Sequence, residues 1–502
     1  MSRNPCVIGV ASTTYRGLDT PEPLDMWQEV LQTAATDSGG KNVLSAIDLL
    51  ATTYCQTTQY DDPLLRLSER LGITPRATHY QAIGGTSGQQ IVNRAAEEIE
   101  SGTLDVVAIA SAEALGSQSA IRKRGERPKY SYRPTEKRPF PWEAPLHPAE
   151  IAHDLVSALN AFALFDSARR AHLGIALDDY REQIAEMLSP MTTLAAGNPE
   201  AWFQVERSVQ EILEPTPANR MAAYPYTKLM VSMMNVDMAA AVIVASDGAA
   251  NRLGVPSDRR VYVRGYGYDT DPVYIAEHRE MHHSPAMRTA SQRAMRTAGV
   301  GIDDIAHLDL YSCFPSSLNF ACDALGIETT DSRGLTITGG LPYFGSPASG
   351  YMVHSVAAMC RRLREDPAEL GLVSGVGMMN TKHVFGIYSG RPSSSSIEPG
   401  SPIAPADAVI SGPDPVPISQ GVTGPGSVVA YTVVHGADLA PESVILIADV
   451  DEGRSRAYAK VNDPVAAATA EAKELVGTSV AIRPQEFATP YGATVGHIAE
   501  IF

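Results

Sequence analysis

One pattern occurs twice in this chain, and it limits the possible folds more than any other feature. In TSGQQIVNRAAEEI, Ser87-Gly88 is followed seven residues after the glycine by Ala95-Ala96. In ASGYMVHSVAAMCRRL, Ser349-Gly350 is followed at the same spacing by Ala357-Ala358. Both stretches lead into apolar strand-like runs, residues 106–110 and 370–376. Each is also preceded by a strand-like segment ending in a Tyr and Cys pair, LLATTYC (49–55) and LDLYSC (308–313). Several such coincidences in the same order predict two related halves. Strands alternating with amphipathic helices over residues 5–110 predict βαβ organisation.

The turn before the first helix carries Gly84, Gly85 and Gly88, with Thr86 and Ser87 between them. Ile91, Val92, Ala95, Ala96 and Ile99 then fall at helical spacing, and Thr86 or Ser87 is expected to cap the helix start. Turns of this kind display a nucleophile in α/β enzymes, because one side chain is exposed at the positive end of a helix. Here glycines stand where that side chain is expected.

At 502 residues the chain exceeds one ordinary domain. A net charge of −17 argues against nucleic-acid or membrane-surface binding. Cys6, Cys55, Cys313, Cys322 and Cys360 form no C-x-x-C pair, which predicts free thiols in a reducing cytoplasm and no zinc ribbon. The opening residues show no export signal, and no apolar stretch approaches the ~20 residues of a membrane span. A cytoplasmic location is expected. Residues 122–138, RKRGERPKYSYRPTEKR, hold eight Lys or Arg against two Glu. In an acidic chain this is either a patch for a phosphorylated ligand, centred on Arg122, Lys123, Arg124 and Arg127, or a solvated loop. His282 and His283 are adjacent and point apart on most backbones, so no metal site is expected there.

Residues 147–215 read as helical, and residues 238–245 as a buried strand. A linker rich in Ser, Pro and Gly follows near residue 393. Beyond it, short strands at 427–435, 443–450, 456–461 and 477–484, with a helix near 464–475, predict a small β-barrel of the OB type. Its strands lack the clustered basic and aromatic residues of a nucleic-acid site.

Over residues 4–390 the chain resembles the thiolase superfamily, most closely its thiolase-like protein type 1 group, often labelled acetyl-CoA acetyltransferase. The resemblance rests on Gly85-Thr86-Ser87-Gly88, where thiolases have Cys-x-Ser-Gly, and on YTKLMVSMMNVDMAAAVIVASDGAANRLG (226–254). It rests further on YSCF (311–314) and on GGLPYFGSPASG (339–350), which matches the segment containing Gly-His-Pro. The resemblance implies an α/β, five-layered αβαβα fold from two similar halves, residues 1–255 and 256–392. It also implies an inserted loop domain at about 115–225 that holds coenzyme A. A linker, 393–420, and an OB-like barrel, 421–502, complete the expected organisation.

The family's reaction runs through a cysteine thioester, and four positions depart from it. The nucleophilic Cys falls on Gly85, the His of Gly-His-Pro on Ser346, the second Cys near Gly375, and the His or Asn of the remaining motif on Tyr311. The catalytic candidates are therefore Tyr311, Ser346, His354 and His383. The coenzyme A contacts are Arg122, Lys123, Arg124, Arg127 and Lys382, and no metal is expected. Three readings stay open. The first is an acyl-CoA-handling enzyme, acyltransferase-like and in lipid metabolism, without a covalent Cys intermediate. The second is a Cys-independent aldolase or retro-aldolase on a CoA thioester, using Tyr311 with Tyr343 nearby. The third is a non-catalytic CoA or acyl-CoA binding protein. The expected partner is an acyl-CoA small molecule, with no nucleic acid and no membrane. A monomer is expected, with a homodimer through residues 78–83 as the alternative.

Overall fold

The run DMAAAVIVAS, all small or branched apolar residues after its first, becomes a strand buried along its whole length, Asp237–Ser246. Continuous apolar character of this kind fits a strand covered on both faces. The structure, a computed structural model, describes residues 3–17, 20–136, 138–141, 145–392, 413–436 and 438–501. In chain order the first strands are β1 (Pro5–Thr14), β2 (Leu49–Thr52), β3 (Ala77–Tyr80) and β4 (Val106–Ala114). A two-stranded hairpin, β5 (Met221–Ala223) and β6 (Tyr226–Thr227), precedes β7 (Asp237–Ser246). The second half supplies β8 (Val261–Thr270), β9 (His307–Asp309), β10 (Leu370–Gly377) and β11 (Lys382–Ser389).

These strands form a nine-stranded sheet in the order β3-β2-β4-β7-β1-β8-β11-β10-β9. Read outward from the centre, each half repeats one plan. The first strand of the half lies beside its last, antiparallel (β1 with β7, β8 with β11). The penultimate strand follows, again antiparallel (β4, β10), and then the second strand, parallel to it (β2, β9). The first half adds β3 outside β2. Within the sheet the halves join through two residue pairs, Cys6 with Tyr262 and Val7 with Val261. The sheet order thus carries the internal duplication that the two Ser-Gly helices suggest.

Those helices, Ser87–Glu100 and Tyr351–Glu365, pack on each other and on strands of both halves. Their crossing explains Gly88, where a Cβ would stand 2.9 Å from Met352 Cβ and from the Val353 nitrogen. Helix Pro23–Asp37 covers the outer face of the first half, and Pro285–Ala298 that of the second. The outcome is a mixed α/β fold around a large central sheet.

Three local expectations change. The expected cap at the first central helix does not form: Thr86 makes no side-chain cap bond, and the Ser87 hydroxyl donates to the Ala82 carbonyl at 2.9 Å. The segment 311–314 is not strand. β9 ends at Asp309, and Phe314 precedes the helix Pro315–Leu325, whose Pro is preorganised for the first helical position. In both halves, then, the Tyr and Cys pair lies just past a strand end.

The third change concerns the C-terminal region, which has one more strand than expected. β12 (Gly424–His435), β13 (Pro441–Val450), β14 (Ser455–Val461), β15 (Ser479–Thr489) and β16 (Gly492–Ile501) close into a barrel in the order β12-β13-β14-β16-β15. β16 was hidden by its Gly and Ala content and is held by pairing with β15 along its whole length. Most of the linker, residues 393–412, lies outside the described residues.

The barrel sits on the helical insertion. The Tyr431 amide donates to Ser167 Oγ at 2.9 Å, and the Tyr458 hydroxyl to Glu150 Oε1 at 2.7 Å. Arg456 is buried and donates to the Ala276 and Arg279 carbonyls. Among the described residues no helix is long and apolar enough to cross a membrane.

Candidate functional site

Four turns converge where the two central helices begin. The Gly84 amide donates to Ser349 Oγ at 3.1 Å, which ties the first helix's turn to the second's. The end of β10 crosses the same point, and the Tyr311 amide donates to Ser374 Oγ at 3.0 Å. Between these turns lies a cavity of about 210 Å³. Gly84, Gly85, Tyr311, Ser346, Ser349 and Gly377 line its floor. Ala158, Phe162, Met234 and Phe314 line one flank, with Phe162 and Phe314 stacked at 4.3 Å. Gln56 lies at its rim.

Position 85 is more than a missing nucleophile. A Cβ built there would stand 2.1 Å from the Val376 carbonyl oxygen and 2.3 Å from the Tyr311 hydroxyl. The tyrosine from the second half therefore fills the space that a side chain at 85 would take. A Cβ at Gly375 would also be crowded, at 2.8 Å from Val384 Cγ1 and 3.1 Å from the Gly85 carbonyl.

The Tyr311 ring is packed edge-on to Tyr351, with centroids 5.5 Å apart. Burial, reinforced by the nearby Cys313, pushes its phenol well above the ordinary range, so it stays protonated and acts as a hydrogen-bond donor. Among the described residues nothing accepts a hydrogen bond from it. Cys313 also lines the cavity; burial pushes its thiol up to about 12, and it lies 3.2 Å from the Ser317 hydroxyl. No His, Asp, Glu, Lys or Arg is among the described lining residues. The cavity thus offers hydroxyl groups and apolar walls, and no charged group.

Of the residues singled out in the sequence, the structure brings Tyr311 and Ser346 together here. His354 lies elsewhere: it points at Ser12 Oγ (2.9 Å) and packs against Phe344, and burial lowers its pKa to about 3. His383 is also fully buried, with Nε2 3.0 Å from both Asp271 Oδ2 and Ser284 Oγ. Burial works to raise the Asp271 pKa, but the hydrogen bond and charge of His383 hold it below the usual range. Neither residue of this couple lines the cavity. Tyr343 is buried outside it, its hydroxyl without a partner. Lys382 opens β11 and lines neither space.

Beyond Gln56 a second pocket opens, of about 690 Å³. Arg122 and Arg127 line it; Lys123 and Arg124 do not. Arg133 and Arg138, from the far end of the same basic stretch, do. Lys137 lies outside the described residues. The residue most clearly missed is Gln56, which lines both spaces. Its only sequence signal is its place one residue after the first Tyr and Cys pair. The buried Glu113 fixes it, accepting from the Gln56 amide at 2.7 Å and the Thr57 amide at 2.8 Å, while burial pushes that carboxyl up to about 7. No group of three or more His, Cys, Asp or Glu gathers for a metal among the described residues.

No protein-family model and no curated protein matches the chain. Among solved structures, the SCP2-thiolase like protein type 1 from Mycobacterium smegmatis, described as monomeric, is 31% identical over 100% of both chains, with a TM-score of 0.84. The acetyl-CoA acetyltransferase from Syntrophomonas wolfei is 14% identical, over 78% of this chain and 100% of its own, with a TM-score of 0.56. Human mitochondrial 3-ketoacyl-CoA thiolase, solved in complex with CoA, is 16% identical over 78% of this chain and 98% of its own, also at 0.56. The last two share the fold alone. The identity and full coverage of the first show that this chain belongs to the family of thiolase-fold proteins represented by SCP2-thiolase like protein type 1.

Proposed function

We propose that the chain binds a coenzyme A thioester in the Tyr311 cavity and holds it without forming a covalent acyl-enzyme. One observation carries this: the nucleophile's place is occupied by the Tyr311 hydroxyl and the Val376 carbonyl. A protonated phenol with no protein acceptor, facing an apolar cavity, suits a thioester carbonyl oxygen. Ser346 and Ser349 add hydroxyl groups at the same floor, and Phe162, Met234 and Phe314 offer an apolar wall to the pantetheine arm. Proton abstraction at the α carbon needs a base, and the described lining supplies none. Binding and presentation of the thioester is thus better supported than acyl transfer. The CoA complex of a thiolase of the same fold supports the choice of ligand.

A second reading is favoured by the same unpartnered hydroxyl. In a retro-aldol step on a β-hydroxyacyl thioester, the Cα–Cβ bond breaks and its electron pair passes to the thioester as an enolate. The β-hydroxyl gives up its proton and becomes the carbonyl of the leaving aldehyde. Tyr311 would donate to the enolate oxygen as charge develops, while the proton acceptor would have to come from water or ligand. The barrel fits the OB type, with a helix between its third and fourth strands and its third and fifth strands parallel. A cytoplasmic monomer completes the proposal.

Tyr311→Phe separates the readings. A neutral hydrogen bond is worth about 0.5–1.5 kcal/mol, so calorimetry should show acyl-CoA bound several-fold more weakly with the fold intact. A panel of β-hydroxyacyl- and β-ketoacyl-CoA thioesters should show no turnover by either protein. Turnover by the wild type that is lost in Tyr311→Phe would instead favour the retro-aldolase. Acyl-CoA affinity identical in both proteins would remove Tyr311 from the binding site.

A further inference from the structure

The turn that leads into the first central helix borders two spaces. Ile83, Gly84 and Gly85 line the Tyr311 cavity, whereas Tyr80, Gln81 and Ala82, just before them, line a separate cavity of about 250 Å³. Three tyrosines and three prolines dominate its wall: Tyr54, Tyr60, Tyr80, Pro63, Pro139 and Pro141. The rings of Tyr54 and Tyr80 are tilted by 51°, with centroids 6.0 Å apart. Two of the three phenols are engaged by backbone, Tyr80 accepting from the Cys55 amide at 3.0 Å and Tyr60 from the Leu24 amide at 3.2 Å. What they offer a ligand is ring surface. The wall is also fixed on the insertion side. The Gln59 side chain donates to the Arg138 carbonyl and accepts from the Arg138 amide, both at 3.0 Å.

Size, charge and position limit the occupant. An apolar cavity of about 150 Å³ holds benzene, so this one suits a single ring with a short stem. Arg138 is the one charged residue among its described lining residues, which disfavours the cations that tyrosine cages otherwise attract. Ala82 is three residues from Gly85, at most ~11 Å even along an extended backbone. The nucleotide end of a CoA thioester stands a whole pantetheine arm from the carbonyl, whereas the acyl group starts at it. We propose that this cavity is an aryl subsite: the ligand whose thioester meets Tyr311 ends its acyl chain in an aromatic ring, packed edge-on or offset against Tyr54 and Tyr80. The inference rests on the thioester reading and adds the class of acyl group.

The test is calorimetry on the full chain with acetyl-CoA, hexanoyl-CoA and two hexanoyl-CoAs capped at the far carbon by phenyl or by cyclohexyl. The wild type should bind the phenyl-capped thioester about tenfold or more tighter than hexanoyl-CoA, as burial of a ring predicts. It should also bind it several-fold tighter than the cyclohexyl-capped one. Ala82→Phe fills the cavity with a ring of its own and keeps the backbone carbonyl that accepts from Ser87. That variant should bind acetyl-CoA and hexanoyl-CoA as the wild type does and lose the advantage of the phenyl cap. The comparison of thioesters on the wild type decides the matter even if the variant does not fold. If hexanoyl-CoA and its phenyl-capped form bind the wild type equally, the subsite is wrong and the thioester reading stands. Equal binding of the phenyl and cyclohexyl caps overturns the aryl class. A variant that keeps the phenyl advantage places the ring elsewhere, and one that weakens acetyl-CoA as well gives the cavity to the adenine. If the wild type binds none of the four, the subsite falls with the thioester reading.

Discussion

A hydrogen rather than a side chain at position 85 is what lets the Val376 carbonyl and the Tyr311 hydroxyl close on the turn. Along the sequence these look like two separate departures from the family's motifs. In space each requires the other, because the phenol occupies the volume that the glycine leaves. Restoring the cysteine should therefore not restore a nucleophile. Gly85→Cys must push aside a backbone carbonyl, and overpacking of this kind costs about 1–3 kcal/mol. Urea unfolding should show that loss, and acetyl-CoA should leave the new thiol unmodified. An acylated, fully stable Gly85→Cys would mean that the turn has more room than the geometry gives it. The glycine was legible in the sequence. The occupant of its space was not, since no local pattern ties residue 85 to residue 311.

Elements were more legible than side-chain placements. Buried strands announce themselves by apolar runs, and the repeated Ser-Gly and Ala-Ala spacing located both central helices. β16 escaped because its Gly and Ala residues give little strand signal, and its pairing with β15 decides its conformation. The two histidines escaped for a related reason. Helix and strand positions are readable, yet whether a side chain points to the cavity or into the core depends on which neighbours fold over it.

The joint between barrel and core supplies a prediction at this scale. Glu150 accepts from the Ile275 amide at 2.9 Å and the Tyr458 hydroxyl at 2.7 Å, and burial raises its pKa from 4.5 to about 7. Between those values the folded chain holds a proton that the unfolded chain releases. Its stabilising contribution is therefore complete below about pH 4.5 and is lost as pH rises to about 7. Glu150→Gln keeps the acceptor oxygen and removes the titration. The wild type should lose up to about 3 kcal/mol relative to Glu150→Gln across that window. A difference that does not vary with pH would show that Glu150 titrates normally.

For the whole molecule, the two halves repeat one sheet order and meet through a short strand pairing and the two central helices, while the barrel rests on the insertion of the first half. The solved relative with 31% identity is described as monomeric. The outer strand β3 is short, with Ala77 and Thr78 exposed. Light scattering should give the 53.6 kDa mass of one chain; twice that mass would favour a homodimer through this edge.

The central claim is that this fold holds a thioester without becoming acylated. All five cysteines are buried, and burial pushes Cys6, Cys313, Cys322 and Cys360 up to about 12 and Cys55 well above its ordinary value. Intact-protein mass spectrometry after incubation with acetyl-CoA tests it most directly. The expected spectrum is that of the unmodified chain, under conditions where calorimetry shows the ligand bound. A stoichiometric acetyl adduct on a single Cys, Ser or Tyr would contradict the claim and identify the nucleophile.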